Sequence, residues 1–464
     1  PIKDLKKRLA AITYLDDIGA KFLWECNAPM FTYTANLIPE IADSIVEIDN
    51  AMRWGFAREV GIFDAWDAIG VEKSVNKMKE ENRKVPTWVD EMLAAGRKSF
   101  YEIKNGEMTY WCPVEKKSLV YAQNKKVLNL NLYKDTKNTI KRDWSASIHD
   151  IGDGVLNVEF HSIFVPAFNP LDRSMNDIMK HALDLLETGK YKGLVVGHQG
   201  KNWCAGANVN DFKMAIDSGN LQVMDAGVKD MQNVTQRIRH SKYPVVTCPF
   251  NLALGGGFEF YACSSHTVAS GELYAGLVEA IQGLIPGAGG HLRVLLNLLE
   301  NNDAKNVNMN IGRQAIELIN PMTVSRSATD ALKKGWLRKS DTIVMNSEHL
   351  LAVGKSKVLE MSDAGYEPPK YRDDLTLPGM TLRTMASVGA KAMKAQGKIS
   401  DHDELVNSKS AYVLSGGKQG GLMSKVDEQH VLDIERECFM SLAGEPKTQA
   451  RIAHFLKTGK PLRN

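Results

Sequence analysis

The spacing of apolar residues divides the chain into a helical beginning, a polar β stretch, an alternating α/β middle and a helical end. Within residues 37–52, Ile41, Ile45, Ile48 and Met52 recur every three or four positions, which predicts a packed helix. Pro86 breaks the pattern, and residues 87–95 resume it. Residues 100–111 alternate about Asn105-Gly106, a pair that accepts the positive φ angles of a type I′ turn, so a hairpin is expected there. Residues 112–145 are polar and lysine-rich and read as a linker or small β extension. The middle then predicts a strand over 155–160, an amphipathic helix over 171–187 and a buried strand within 191–197. A helix over 228–239 and one apolar strand over 244–254 follow. Such alternation implies stacked α/β units. From residue 346 the texture is helical, broken at Pro368, Pro369 and Pro378 and by a glycine-rich turn over 415–421. No internal repeat is evident.

Length and composition narrow the choice of class. A chain of 464 residues has room for more than one domain. With 44% hydrophobic and 24% charged residues, it can build cores of ordinary size. A net charge of +3 argues against nucleic-acid binding as the main role. Basic runs at Lys3, Lys6, Lys7 and Arg8, and at Lys333, Lys334, Arg338 and Lys339, read as solvated helix faces or as seats for a phosphorylated ligand. The six cysteines form no C-x-x-C pair and fit reduced thiols, so a cytoplasmic location is expected. The eleven histidines show no ligand spacing, and no metal site is expected. No signal-type apolar segment opens the chain. The best apolar run, 243–258, contains two prolines and three consecutive glycines, so no integral membrane segment is expected. A first residue other than Met is consistent with a fragment of a longer protein.

Chemistry concentrates in two segments, Trp203 to Asn208 and Asn251 to Gly290. In the second, an apolar stretch ends at Leu254, three glycines follow, and residues 258–263 can start a helix. Glycines there let another group approach the backbone. The first amides of a helix lack internal partners, carry positive potential and can bind a negative oxygen. Glu259 falls in that first turn, and Glu279 lies 20 residues on, just before a second glycine-rich turn over 283–290. Two carboxylates beside an oxyanion pocket suit water addition to an activated alkene: one takes a proton from water, the other gives a proton to carbon. Each piece has a plainer reading. A first-turn glutamate serves the helix dipole, a triple glycine marks a turn, and Cys204-Ala205-Gly206-Ala207 is a small-residue packing site. Their joint order and spacing carry the argument.

These segments resemble the crotonase (enoyl-CoA hydratase) superfamily. Trp203 to Asn208 is similar to its C-A-G-A-D signature, and Ala253 to Glu259 fit A-L-G-G-G-x-E at every fixed place. Val278-Glu279 resembles the later P-E, and residues 283–290 resemble G-x-I-P-G-x-G-G. The resemblance implies an α/β crotonase domain, a spiral of ββα turns. It implies an oxyanion hole from the amides of Ala207 and Gly256, and an acid/base pair, Glu259 and Glu279, around one water. It further implies that the Gly287 amide helps to hold that water, and that Ala205, Gly206 and Asn208 line the CoA path. Relatives that keep one glutamate are isomerases or hydrolases; both are present here, which points to hydration. Four positions depart from the pattern: Asn208 for Asp, Ser264 for Asp, Val278 for Pro and His291 for Thr. Val278 is a change that could shift Glu279. Residues 161–170 form a longer run than is usual and could alter the CoA entrance.

The N-terminal flank carries a second resemblance. Glu47 to Met52, Gly55, and residues 61–70 are similar to the D-I-D-x-A-M, G and G-x-F-x-x-x-D-x-x-G signature of the helical C-terminal domain of 3-hydroxyacyl-CoA dehydrogenases. The whole chain resembles the C-terminal part of a fused dehydrogenase–hydratase of fatty-acid β-oxidation with the Rossmann domain absent, since no G-x-G-x-x-G follows an N-terminal strand. The expected domains are an all-α dehydrogenase-type unit over 1–98, a hairpin and linker over 99–145, the crotonase domain over 146–345 and a C-terminal helical region over 346–464. His161 does not match the catalytic-histidine context of such dehydrogenases and reads as structural. The activity implied is hydration of 2-trans-enoyl-CoA to 3-hydroxyacyl-CoA. CoA enters as part of the substrate, and no cofactor is expected in this chain, NAD belonging to the Rossmann domain. The alternatives are a Δ3,Δ2-enoyl-CoA isomerase and a non-catalytic assembly module of a β-oxidation complex. Expected partners are acyl-CoA, further copies of the chain in a homo-oligomer, and a Rossmann dehydrogenase fragment or a thiolase.

Overall fold

Buried carboxylates organise the first of two units, Pro1–Asn124 and Lys125–Asn464, into which the chain folds in a computed structural model. The structure describes all residues except Pro1, Lys3, Asn105, Ala122, Gln123, Lys125, Asp135, Thr136 and the side chain of Leu422. In the first unit, Asp49 lies in the helix Ile45–Gly55 and is buried. Its carboxylate accepts from the amides of Phe63 (2.9 Å) and Asp64 (3.0 Å), so it caps the helix Ile62–Ile69 from outside, and the Tyr101 hydroxyl donates to it at 3.1 Å. Asp67 in turn accepts from the amides of Phe100 and Tyr101. Asp49 of Glu47-Ile48-Asp49 and Asp67 of the G-x-F-x-x-x-D run therefore hold the helices and the following sheet together. Phe31, Phe63, Trp66 and Phe100 fill the core between them.

Gly61 belongs to the same arrangement. A β-carbon there would lie 2.1 Å from Asp49 Cγ. Gly61→Ala is expected to displace the Asp49 cap and destabilise this unit by about 2–4 kcal/mol. Urea unfolding followed by tryptophan fluorescence would measure it; an unchanged midpoint would refute the capping role.

Two sequence expectations for this region change. The helix expected over 37–52 starts only at Ile45, where the Ser44 side chain accepts from the Val46 amide at 3.1 Å. Pro39 lacks the amide hydrogen that a helix through it would use and so disfavours one, and Ile41, placed on the expected apolar stripe, is exposed. The expected hairpin pairs Tyr101–Lys104 with Glu107–Cys112, in register Lys104↔Glu107. Gly106 has φ +77°, and Asn105 lies outside the described residues, as does Lys3 of the expected basic run. A third strand, Lys117–Val120, joins that hairpin, so the first unit combines helices with a sheet. The stretch 99–145 is thus divided, because Thr139–Arg142 belongs to the sheet of the second unit.

The second unit is a spiral. Its seven-stranded sheet runs in the order Thr342–Val344, His266–Ser270, Val245–Thr247, Gly193–Val196, Val155–Phe160, Ala146–Asp150, Thr139–Arg142. The first five are mutually parallel, and each of the last two is antiparallel to the strand before it in this order. After each of the central strands the chain turns to a second layer: the Leu171↔Ala207 bridge, the Cys204↔Ala253 bridge, and Asn251–Leu254 parallel to Leu273–Gly276. Helices then return it to the main sheet, giving strand–strand–helix turns. The single strand expected over 244–254 is accordingly two. Val245–Thr247 stays in the main sheet and Asn251–Leu254 joins the second layer, the chain turning through Cys248, Pro249 and an Asn251 at φ +48°. The helix expected over 228–239 extends back to Leu221.

Residues beyond 346 belong to this same unit. The helix Leu350–Asp363 lies against the strands Gly193–Val196, Val245–Thr247 and His266–Ser270. The helices Asp401–Leu414, Glu428–Ala443 and Pro446–Thr458 pack on the side that carries the chemistry-bearing loops. No helix among the described residues is long and apolar enough to cross a membrane.

Candidate active site

The backbone comes first. Leu171 donates to the Gly206 carbonyl (2.8 Å) and accepts from the Asn208 amide (2.9 Å), so the Ala207 amide between them faces the opposite way. Facing it is the start of the helix Gly256–Ala262. The helix starts two residues earlier than expected, inside the glycine run, and so puts the Gly256 amide among the partner-free first amides of a helix. A β-carbon on Gly256 would lie 3.5 Å from the Ala207 nitrogen. The two amides are therefore neighbours across a gap that the missing side chain keeps open. Gly255, at φ +52°, makes the turn, and a β-carbon there would lie 2.7 Å from Glu279 Oε1. Gly257 lets the helix touch Cys204, whose carbonyl would be 2.3 Å from an added β-carbon.

Glu259 is buried, and its Oε1 accepts from the amides of Ala288 and Gly290, both at 2.8 Å. Burial, with Glu279 and Glu435 nearby, holds its carboxyl well above the ordinary carboxylate range, against the pull of those two amides. Glu279 opens the short turn Glu279–Gln282; burial pushes its carboxyl up to about 7, with Glu435 adding in the same direction. Its Oε2 is buried without a hydrogen-bond partner among the described residues. Burial therefore disfavours the ionised form of both carboxyls, and the charge of Glu279 further disfavours ionisation of Glu259.

A cavity of about 930 Å³ brings these groups together. All eight residues singled out from the sequence line it: Ala205, Gly206, Ala207, Asn208, Gly256, Glu259, Glu279 and Gly287. Phe212, Met224, Val228, Leu284 and Phe439 give it an apolar wall. Exposed Trp144 and Phe164, in edge-to-face contact at 6.4 Å, also line it, so the run 161–170 does reach the cavity. Asn208 uses its side-chain oxygen to cap the helix Val209–Asp217, accepting from the Asn210 amide at 3.3 Å, a task an aspartate would share. His161 hydrogen bonds Ser147 Oγ at 2.6 Å and is not among the cavity-lining residues. No group of three or more His, Cys, Asp or Glu among the described residues could hold a metal ion.

The sequence reading missed the residues that hold both glutamate loops. Glu435 accepts from the amides of Gly289 (2.6 Å) and His291 (2.9 Å), alternating along the chain with the two amides taken by Glu259. Arg451 donates to the Ala280 carbonyl at 3.2 Å and Thr448 to the Gly283 carbonyl at 2.9 Å, fastening the turn of Glu279. One signal for Glu435 was available. It stands on the face of the helix Glu428–Ala443 formed by Val431, Leu432, Cys438, Phe439 and Leu442, a carboxylate where the spacing calls for an apolar residue.

Comparison with known proteins agrees with this architecture. Residues 165–301 match the enoyl-CoA hydratase/isomerase family. A probable 3-hydroxyacyl-CoA dehydrogenase of Bacillus subtilis is 38% identical over 462 residues, which cover 100% of this chain and 57% of that protein. A putative fatty acid oxidation complex trifunctional enzyme of Rickettsia felis is 25% identical over 445 residues, 95% of this chain and 54% of that one. The chain thus spans little more than half the length of these relatives. Among solved structures, a carnitinyl-CoA dehydratase from Mycobacterium thermoresistibile shares the fold at a TM-score of 0.50 and 15% identity, over 68% of this chain and 91% of that one. The similarity to the dehydrogenase and trifunctional-enzyme relatives extends across both units, and the match to the enoyl-CoA hydratase/isomerase family lies within the second unit.

Proposed function

We propose that this chain adds water to 2-trans-enoyl-CoA, giving 3-hydroxyacyl-CoA, in fatty-acid β-oxidation or a related acyl-CoA pathway. The observation that most supports it is the gathering, around one cavity, of two neighbouring amides free to donate and two carboxyls that burial holds above the ordinary carboxylate range. In this reading the thioester oxygen accepts from the Ala207 and Gly256 amides. The ionised glutamate of the pair removes a proton from water as the water oxygen bonds to C3. The alkene electrons move toward the thioester oxygen, where the two amides hold the growing charge. The protonated glutamate then delivers its proton to C2. One water is consumed, and the proton of the pair ends on the other carboxylate. The Gly287 amide would help to hold the water, and Ala205, Gly206 and Asn208 would border the CoA path. The apolar wall from Phe212 to Phe439 would receive the acyl chain.

The test uses the chromophore of the conjugated enoyl thioester. Its absorbance should disappear when the chain is given a 2-enoyl-CoA. Appearance of that absorbance from a 3-enoyl-CoA, with no loss from the 2-enoyl isomer, would instead mark an isomerase. No change with either substrate would favour an assembly role.

A further inference from the structure

His291 stands where the crotonase pattern has Thr, and it lies inside a buried polar chain. Its Nδ1 is 2.7 Å from Glu435 Oε2, and its Nε2 is 3.0 Å from Ser410 Oγ. Glu435 and His291 have no exposed surface, and Ser410 has 1%. At one end, Glu435 and Glu259 grip alternate amides of one loop: Glu259 takes Ala288 and Gly290, Glu435 takes Gly289 and His291. At the other end, Ser410 lines a small cavity of about 10 Å³ together with Glu279, Asn320 and Asn407. Its wall is mostly apolar, but Glu279, Asn320, Asn407 and Ser410 all border it, and its volume is about that of a single water. Glu279, whose Oε2 has no partner among the described residues, is on its wall.

We propose that Glu435, His291 and Ser410 are positioning residues for the two glutamates: the first aims Glu259 through the shared loop, and the chain reaches Glu279 through one water in the small cavity. This rests on the hydration reading for its purpose, though not for its test. A hydrogen on His291 Nδ1 faces the Glu435 carboxylate, which leaves Nε2 to accept from the Ser410 hydroxyl. The Ser410 oxygen can then accept from the water, whose second hydrogen points to Glu279. The chain thus favours the ionised form of Glu279, while the negative charge of Glu435 opposes ionisation of both glutamates. Other charged or titratable groups on the elements packed here include Arg293 and Glu300 on the helix of His291, Glu428, His430, Asp433, Arg436, Glu437 and Cys438 on that of Glu435, Asp401, His402, Asp403, Glu404, Lys409 and Tyr412 on that of Ser410, and Arg451 behind the Glu279 turn.

The two ends make opposite predictions. Glu435→Gln keeps the shape and a carbonyl acceptor but removes the charge, so the glutamate pair should titrate about one pH unit lower. Ser410→Ala leaves the loop amides untouched and cuts the chain, so Glu279 should titrate higher. The readout is the carboxylic-acid carbonyl stretch in infrared pH-difference spectra of the full chain, assigned with Glu259→Gln and Glu279→Gln. The acidic limb of the pH–kcat/KM profile for 2-enoyl-CoA should move the same way in each variant. A lowered melting temperature with an unshifted titration in both variants would overturn the proposal. If Glu435→Gln fails to fold, Ser410→Ala decides: an unmoved Glu279 band overturns the link. Should the wild-type chain not hydrate enoyl-CoA, the infrared titration still tests the network by itself.

Discussion

Glu259→Gln and Glu279→Gln are each expected to lower turnover of 2-enoyl-CoA by about 100- to 10,000-fold, the usual cost of losing a positioned acid/base group. The fold should survive, because a glutamine oxygen at 259 can still accept from the Ala288 and Gly290 amides. Stability should report the same groups independently. A carboxyl whose folded-state pKa is raised contributes stability that is complete below its ordinary value, 4.5 for glutamate, and is lost as pH rises through its folded value, about 7 for Glu279. Glu279→Gln cannot ionise. It is therefore expected to melt above the wild type at pH 8 and to lose that advantage at pH 5. Calorimetric melting across that range, beside steady-state kinetics, checks both parts. Near-normal turnover by either variant would remove the two-carboxylate assignment.

Gly256→Val should abolish hydration for a different reason. The first added carbon would sit 3.0 Å from Leu171 Cδ1 and 3.5 Å from the Ala207 nitrogen, in the space where the thioester oxygen would meet both amides. Losing one oxyanion donor costs about 100- to 1,000-fold in turnover. The loss should fall on kcat, since charge on that oxygen grows only as the transition state forms. CoA should still bind measurably by calorimetry. Gly257→Ala is the contrast. Its β-carbon meets the Cys204 carbonyl at 2.3 Å, so that variant should lose stability before it loses any particular step. Wild-type turnover by Gly256→Val would place the site elsewhere.

The glutamates, the glycine run and the Ala207 segment were legible in the sequence because each is local. A helix start, a sharp turn and a small-residue contact all leave their mark within a few residues of Glu259. The spiral left no such mark. Its central strands begin at Val155, Gly193, Val245 and His266, at unequal intervals, so no period appears although the geometry repeats. The break within 244–254 was hidden because both pieces are apolar and Asn251 can take a positive φ without being glycine. Pro39 marks the late start of the Ile45 helix, a signal that the expectation drawn from the isoleucine spacing left out. Glu435, Thr448 and Arg451 were out of reach for another reason: what they hold lies more than a hundred residues away along the chain.

That distance bears on how the protein comes to be made. The loops of Glu259 and Glu279 leave the ribosome long before the helices Glu428–Ala443 and Pro446–Thr458 that fasten them. Until those helices emerge, the Gly289 and His291 amides and the Ala280 and Gly283 carbonyls lack their partners, and the apolar wall lacks Phe439. A nascent chain halted near residue 427 would hold every residue of the acid/base pair and the amide pair, yet without the contacts that fix their geometry. Contacts of such long sequence separation form late and slowly. Competence should therefore arrive abruptly, with the docking of the last helices, rather than accumulate as synthesis proceeds.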